Sequence, residues 1–322
     1  MLGRPLFTWV LKEALFSELD EVVVFTDDGT IISFVENEYR WSNKIKAISR
    51  SENSASDMAS TEEAILEYCA GINYNFDIFC LLQATSPLTT SEDINAALFK
   101  VASEGYDAAL TVVKTHRFVW NKNGTPANYD IFKRPRRQDF EGLFIENGAV
   151  YATKRVALQE SKNRISGKIA LVEMHEDSLL EIDSETDWLL AEKLLAKRLK
   201  NGKFPEKITH LVLDVDGVFT DGSIYYSKEG EALKRFDMRD GMGLEILREQ
   251  GVEVLVMTSE NSELVAQRMK KLKIEHTYLG VKDKFALLAN ICNSQNISLK
   301  NIAYIGDDVN DLANICSVGW GM

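Results

Sequence analysis

Asp214 and Asp216 stand two residues apart at the end of an apolar run, Ile208 to Leu213, and Gly217 follows them. Such a run reads as a strand buried on both faces, of the kind found in parallel sheets, which present ligands at the carboxyl ends of their strands. Two uncompensated carboxylates at the edge of an apolar core are costly, so they call for a cation or a shared proton. Further polar groups recur along the same half: Thr258 with Ser259, Lys284, and Gly306-Asp307-Asp308-Val309-Asn310-Asp311. Phosphoryl transfer needs an in-line nucleophile, a cation to neutralise the phosphate, donors for its equatorial oxygens and an acid for the leaving oxygen. A carboxylate can attack phosphorus directly and form an aspartyl-phosphate. The inventory supplies each part once.

With DxD, Ser/Thr, Lys and GDxxxD motifs in that order over about 100 residues, this half resembles the haloacid dehalogenase superfamily. A receiver-type acidic pocket would leave Gly217 and Asp311 unexplained. The resemblance implies Asp214 as nucleophile and Asp216 as general acid/base, with Thr258 and Lys284 on the phosphoryl oxygens and Ser259 as a further substrate contact. It also implies Mg²⁺ held by Asp214, Asp307 and the Asp216 carbonyl, leaving Asp311 to hold Lys284 or the metal's water shell. A narrower likeness is to the phosphatases of KDO 8-phosphate, a 3-deoxy-ulosonate phosphate. It rests on Asp214 to Asp221, Gly222-Ser223-Ile224-Tyr225, Arg239-Asp240-Gly241-Met242-Gly243 and Gly306-Asp307-Asp308. Arg239 is a candidate substrate contact. The gap between Asp216 and Thr258 leaves room for a hairpin, Ile224 to Asp237, but not for a cap domain. Capless relatives complete the site with a neighbouring subunit, which implies a homo-oligomer, a tetramer. They also continue into a glycine-rich tail, so the domain is expected to be incomplete at its C-terminal end.

The first half carries a second ordered set: Arg50 to Asp57, Gln83-Ala84-Thr85-Ser86-Pro87-Leu88, Glu146-Asn147-Gly148-Ala149-Val150-Tyr151 and Glu181-Ile182-Asp183-Ser184-Glu185-Thr186-Asp187. Together these resemble the N-acylneuraminate (sialic acid) cytidylyltransferases, which join CTP to a nine-carbon ulosonic acid. Such an enzyme positions a sugar hydroxyl in line with the α-phosphate and balances charge with a metal. The resemblance implies Arg50 on the nucleotide and Gln83 on the sugar acid, with Glu181 and Asp183 at the metal. It places Asn147 and Gly148 around the sugar, with Arg136 or Arg137 for anionic groups. The family opens with a strand and a glycine-rich basic loop, for which this chain has no counterpart ahead of Met1-Leu2-Gly3-Arg4-Pro5-Leu6. The expectation is therefore an N-terminally incomplete domain that either transfers CMP or only binds sugar and assembles the oligomer.

The elements that must position these groups alternate strand and helix, which indicates α/β layers in both halves. Expected in the first half are a helix with Phe7, Val10, Leu11, Ala14 and Leu15 on its apolar face, and strands over 21–25, 76–82, 108–113 and 144–151. A helix capped by Ser91 and a last helix over 183–200 complete it. In the second half, strands over 208–213, 252–257 and 301–305 alternate with helices over 262–271 and 283–293. A chain of 322 residues exceeds one core. Two α/β domains are expected: a nucleotidyltransferase-like Rossmann-type domain over 1–200 and a capless haloacid dehalogenase-like Rossmann-type domain over 208–322. A Gly- and Pro-containing linker over 201–207 joins them. The net charge of −12 argues against a nucleic-acid surface. No segment is long enough to span a membrane, and Cys69, Cys80, Cys292 and Cys316 lack metal-ligand spacing and read as buried thiols. A cytoplasmic enzyme follows, with a sugar acid phosphate and CTP as small-molecule partners.

Overall fold

The computed structural model describes residues 1–56, 58–200 and 207–322, which form two compact units: Leu6–Ala191, and Met1–Pro5 with Glu192–Met322. The expected linker, apart from Lys207, lies outside the described residues.

The first unit begins with helix α1 (Phe7–Phe16), strand β1 (Val22–Thr26), α2 (Gly29–Glu38), β2 (Ile45–Ser49), α3 (Glu52–Ala55) and α4 (Thr61–Gly71). β3 (Ile78–Leu82), α5 (Ser91–Ala102), β4 (Ala108–Thr115), β5 (Leu143–Lys154), α6 (Arg155–Ser161) and β6 (Ile169–Glu173) follow, and α7 (Glu185–Leu199) begins in this unit and passes into the second at Glu192. α1 buries Trp9, Val10, Leu11 and Ala14, while Phe7 and Leu15 of the expected stripe are half-buried. Asp28, read from sequence as part of a turn, caps α2 by accepting from Thr30 and Ile31 N–H. The cap of α5 is Thr90 rather than Ser91, because Asp93 at the third helical position returns a bond to the Thr90 N–H and completes a capping box.

Strand pairing in this unit is divided. Among the described residues β1 pairs only with β2, in parallel, while β3, β5, β4 and β6 form a mixed sheet in that order, with β5 antiparallel to both neighbours. β1 and β3, each paired on one side only, line a single cavity of about 1510 Å³, together with apolar residues of α1, α4 and α5.

The second unit contains β7 (His210–Leu213), β8 (Thr220–Ser227), β9 (Gly230–Phe236), α8 (Met238–Glu249), β10 (Glu253–Met257), α9 (Glu263–Lys271) and β11 (His276–Tyr278). α10 (Lys284–Gln295), β12 (Ile302–Ile305), α11 (Leu312–Ser317) and β13 (Trp320–Gly321) complete it. Five of its strands form one sheet, all parallel, in the order β11-β10-β7-β12-β13. The central place of β7 explains its composition: Leu211, Val212 and Leu213 are buried, since apolar packing covers both faces. Leu213, Val215, Val256, Val265, Met269 and Ala303 belong to the core cluster that locks β7, β10 and α9 together. β8 and β9 form a separate antiparallel hairpin. Among the described residues no helix is long and apolar enough to cross a membrane. The four cysteines are free thiols, Cys69 and Cys292 buried, Cys80 and Cys316 half-buried.

Candidate active site

Asp214 is the first residue beyond β7, and its backbone N–H still donates to Ile305 of β12, so the sheet ladder itself fixes the nucleophile candidate. Asp214 as a whole is 6% exposed. Lys284, the first residue of α10, places its ammonium 3.0 Å from Asp214 Oδ2 and 2.8 Å from Asp311 Oδ1. Tyr304 of β12 donates its hydroxyl to the same Asp311 oxygen at 2.6 Å. A buried lysine is costly unless it is paired and hydrogen-bonded, and this one touches two carboxylates. Burial, with the charge of Asp311 adding to it, pushes the Asp214 carboxyl up to about 6, against the opposing pull of Lys284 and the Val215 N–H.

Asp216 has a different partner. Lys234 of β9 lies 2.8 Å from both its carboxylate oxygens, and the lysine side chain has no accessible surface. Burial alone would lower the Lys234 pKa, but Asp216, Glu231 and Glu260 together raise it. Gly217 follows with φ +76°, and a Cβ there would fall 1.7 Å from Asp307 Oδ2, so only glycine lets the loop after β7 approach the loop after β12.

Asp214, Asp216, Thr258, Ser259, Glu260 and Asp307 line one cavity of about 420 Å³. Thr258, at the end of β10, is buried and anchored through its backbone to Tyr278 and Val281. Asn310 donates to Ser259 Oγ at 2.7 Å, tying the loop after β12 to the loop after β10. Asp214, Asp307 and Asp311 can each offer one oxygen, with the three oxygens within 4.8 Å of one another. The Asp216 carboxylate is not part of that group. Arg239 does not line the cavity; at the start of α8 it is paired with Asp237 at 2.6 Å, and its side chain is 90% exposed.

The first five residues of the chain belong to this unit. Arg4, 4% exposed, makes a two-point contact with Asp283 at 2.8 and 2.9 Å and lies over the Phe285 ring. Asp283 also caps α10, accepting from the Ala286 N–H. Lys284 therefore sits between two residues that Arg4 contacts. Arg4, Lys234 and Tyr304 escape the sequence reading for different reasons. Arg4 and Lys234 are lone cations without a motif. Tyr304 gives a weak signal, since a tyrosine inside the buried run Ile302 to Ile305 must find a partner for its hydroxyl.

In the first unit the loop after β3, strand β5 and the segment between β6 and α7 bring Gln83, Gly148 and Glu181 together. Gly148 has φ +72°, and a Cβ there would lie 3.3 Å from Gln83 Oε1 and 3.4 Å from Glu181 Oε2. Thr85 donates to Glu181 at 3.3 Å, and the Ile182 N–H bonds the Thr85 carbonyl. Asn147 is buried and donates to the Ser178 carbonyl at 3.0 Å, and its own carbonyl oxygen has no partner among the described residues. Asp183 is exposed on the turn into α7, its N–H bonded to Asp187. Arg50 pairs with Asp27 at 2.9 Å, and Arg136 with Asp139 on an exposed turn. The Arg137 side chain lies outside the described residues.

The cytidylyltransferase family profile matches residues 1–210. N-acylneuraminate cytidylyltransferase B of Danio rerio is 30% identical over 331 aligned positions, covering 99% of this chain and 76% of the fish protein. The 3-deoxy-D-manno-octulosonate 8-phosphate phosphatase of Escherichia coli is 39% identical over 114 residues, 35% of this chain and 61% of that enzyme. Among solved structures, the corresponding phosphatase of Moraxella catarrhalis, crystallised with magnesium, phosphate and KDO, is 34% identical. It covers 40% of this chain and 71% of that one with a TM-score of 0.35.

Proposed function

This chain belongs to the N-acylneuraminate cytidylyltransferase family, and from that premise we propose that it joins two activities on ulosonic acids. The second unit would hydrolyse a 3-deoxy-ulosonate phosphate, and the first would activate the free acid with CTP. The product of one step would be the substrate of the next. The protein would act as a cytoplasmic homo-oligomer.

The observation that carries the phosphatase reading is the position of Asp214. It is a buried carboxylate at the end of the central strand, with one oxygen beside Lys284 and a cavity on its open side. In the proposed reaction an Asp214 oxygen attacks phosphorus as the ester P–O bond breaks, and Asp216 gives the leaving oxygen a proton. Water then attacks the aspartyl-phosphate, returns a proton to Asp216 and frees inorganic phosphate. Lys284 and Thr258 hold the phosphoryl oxygens, and Asp311 and Tyr304 hold Lys284. Carboxylate oxygens suit Mg²⁺, a hard cation that one or two carboxylates bind while it keeps several waters. Asp214 and Asp307, with the Asp216 carbonyl, would hold it, and its charge would offset that of the phosphate.

The convergence of Gln83, Gly148 and Glu181 supports the transferase reading of the first unit. There Gln83 and Asn147 would meet the sugar acid, Arg50 the nucleotide, and Glu181 with Asp183 the metal. The alternative role, a sugar-binding or assembly module, is separated by calorimetry with Mg²⁺ and CTP: no heat at millimolar nucleotide would leave the phosphatase alone. For the phosphatase, a screen of ulosonate phosphates with Mg²⁺ is the test. Asp214→Asn should abolish phosphate release, and undiminished turnover would refute the nucleophile.

A further inference from the structure

Lys234 stands on the hairpin, outside the parallel sheet, and its ammonium is nevertheless enclosed by three carboxylates. Both Asp216 oxygens lie at 2.8 Å, Glu260 at 3.6 Å and Glu231 at 3.7 Å. Ser262 Oγ, just ahead of α9, donates to Glu231 at 3.3 Å, so the cluster joins β9, the loop after β7 and the loop after β10. One cation among three carboxylates leaves an excess of negative charge, and with Asp216 29% and Glu260 48% exposed, solvent screens the pairs and they add little to stability. What the arrangement does achieve is orientation. Lys234 lies on the bisector of the Asp216 carboxylate and fixes its direction, and the Thr220 hydroxyl, donating to Oδ1 at 3.4 Å, fixes its rotation. Its neighbour Asp214 has a separate cation, Lys284.

We propose that Lys234 is a positioning residue for proton transfer: it fixes the Asp216 carboxylate toward the leaving oxygen and away from phosphorus. The inference rests on the phosphatase reading above. In the first step the P–O bond to the sugar breaks, the bond from Asp214 to phosphorus forms, and the Asp216 proton goes to the departing oxygen. In the second step the attacking water gives one proton to Asp216 as its oxygen bonds phosphorus and the Asp214–phosphorus bond breaks. Asp216 thus carries the proton from one turnover to the next, and Lys234 keeps it in reach of both oxygens.

Proton donation matters for a poor leaving group and little for a good one. The full chain with Mg²⁺ is therefore assayed on two probes, 3-deoxy-D-manno-octulosonate 8-phosphate, an alkyl ester, and p-nitrophenyl phosphate. Lys234→Met is expected to lower kcat/KM on the alkyl ester about a hundredfold, the low end of general acid catalysis, and on the aryl ester less than about fivefold. Asp216→Asn should show the same asymmetry, and Lys234→Arg should bring the ratio of the two losses back toward one. Equal losses on both probes, or no loss on either, would overturn the proposal. If the methionine variant does not fold, Lys234→Gln, which keeps a donor of similar length, is read by the same ratio. A parent protein inactive on both probes would instead overturn the phosphatase reading itself.

Discussion

Lys284 Nζ lies 3.0 Å from Asp214 Oδ2 and 2.8 Å from Asp311 Oδ1, and the lysine side chain has no accessible surface. The two carboxylates are thus held together by a cation that water does not reach. Lys284→Met should leave both of them buried without it. Loss of one partner from a buried ion cluster costs about 3–5 kcal/mol, and loss of a phosphate-stabilising donor about a hundredfold or more in kcat. Urea denaturation and phosphate release measure the two effects separately, and a variant as stable and as active as the parent would contradict this account.

The Asp214 carboxyl is pushed up to about 6, first by burial and then by Asp311. In metal-free protein, a carboxyl resonance assigned through Asp214→Asn should titrate near that value rather than near 4, where exposed aspartates titrate. Ionisation precedes metal ligation, so Mg²⁺ should lower the apparent value, and Mg²⁺ affinity should weaken as pH falls below about 6. An Asp214 titration near 4 without metal would remove the burial argument.

Gly217→Ala adds a methyl group 1.7 Å from Asp307 Oδ2 at a backbone angle that alanine seldom adopts. The loops after β7 and β12 must then separate. The expected outcome is a folded protein with weakened Mg²⁺ binding by calorimetry and strongly reduced phosphate release. Unchanged Mg²⁺ affinity would argue against Asp307 as a ligand.

Arg4→Met strips Asp283 of its two-point partner while leaving that carboxylate buried, so a loss of about 3–5 kcal/mol is expected for the second unit. Because Asp283 also caps the helix that begins with Lys284, kcat should fall more than KM rises. A change in stability alone, with kcat intact, would confine Arg4 to holding the fold.

The elements legible in the sequence were those whose signal is local. β7, β10 and β12 are short apolar runs broken by polar or glycine residues, and the groups expected at the phosphatase site follow directly from where those runs end. Asp214, Thr258 and Asp307 needed no knowledge of strand order to be picked out. What failed was non-local or carried by one residue. α4 has no strong apolar stripe, and α2 sits behind a polar tetrapeptide that reads equally well as a turn. Thr90 and Ser91 are both competent caps, and only the reply from Asp93 decides between them. Lys234 is one lysine in an exposed-looking hairpin strand, and its enclosure depends on carboxylates that lie 18 or more positions away as well as on nearby Glu231. Arg239, a motif residue, pairs with Asp237 two positions before it and lies outside the cavity that Asp214 and Asp216 line.

The divided pairing in the first unit bears on how that unit comes apart. β1 and β2 share no hydrogen-bonded rung with β3, β5, β4 and β6 among the described residues, so the two ladders are coupled through side chains, by packing around the cavity and by bonds such as Glu18 N–H to Asn95 and Ser51 to Glu67. Cooperative opening follows contiguous hydrogen-bonded blocks. Amide protons of Val22–Thr26 and Ile45–Ser49 should therefore exchange as one group, ahead of those in β4 and β5, and mild denaturant should release the strand pair first.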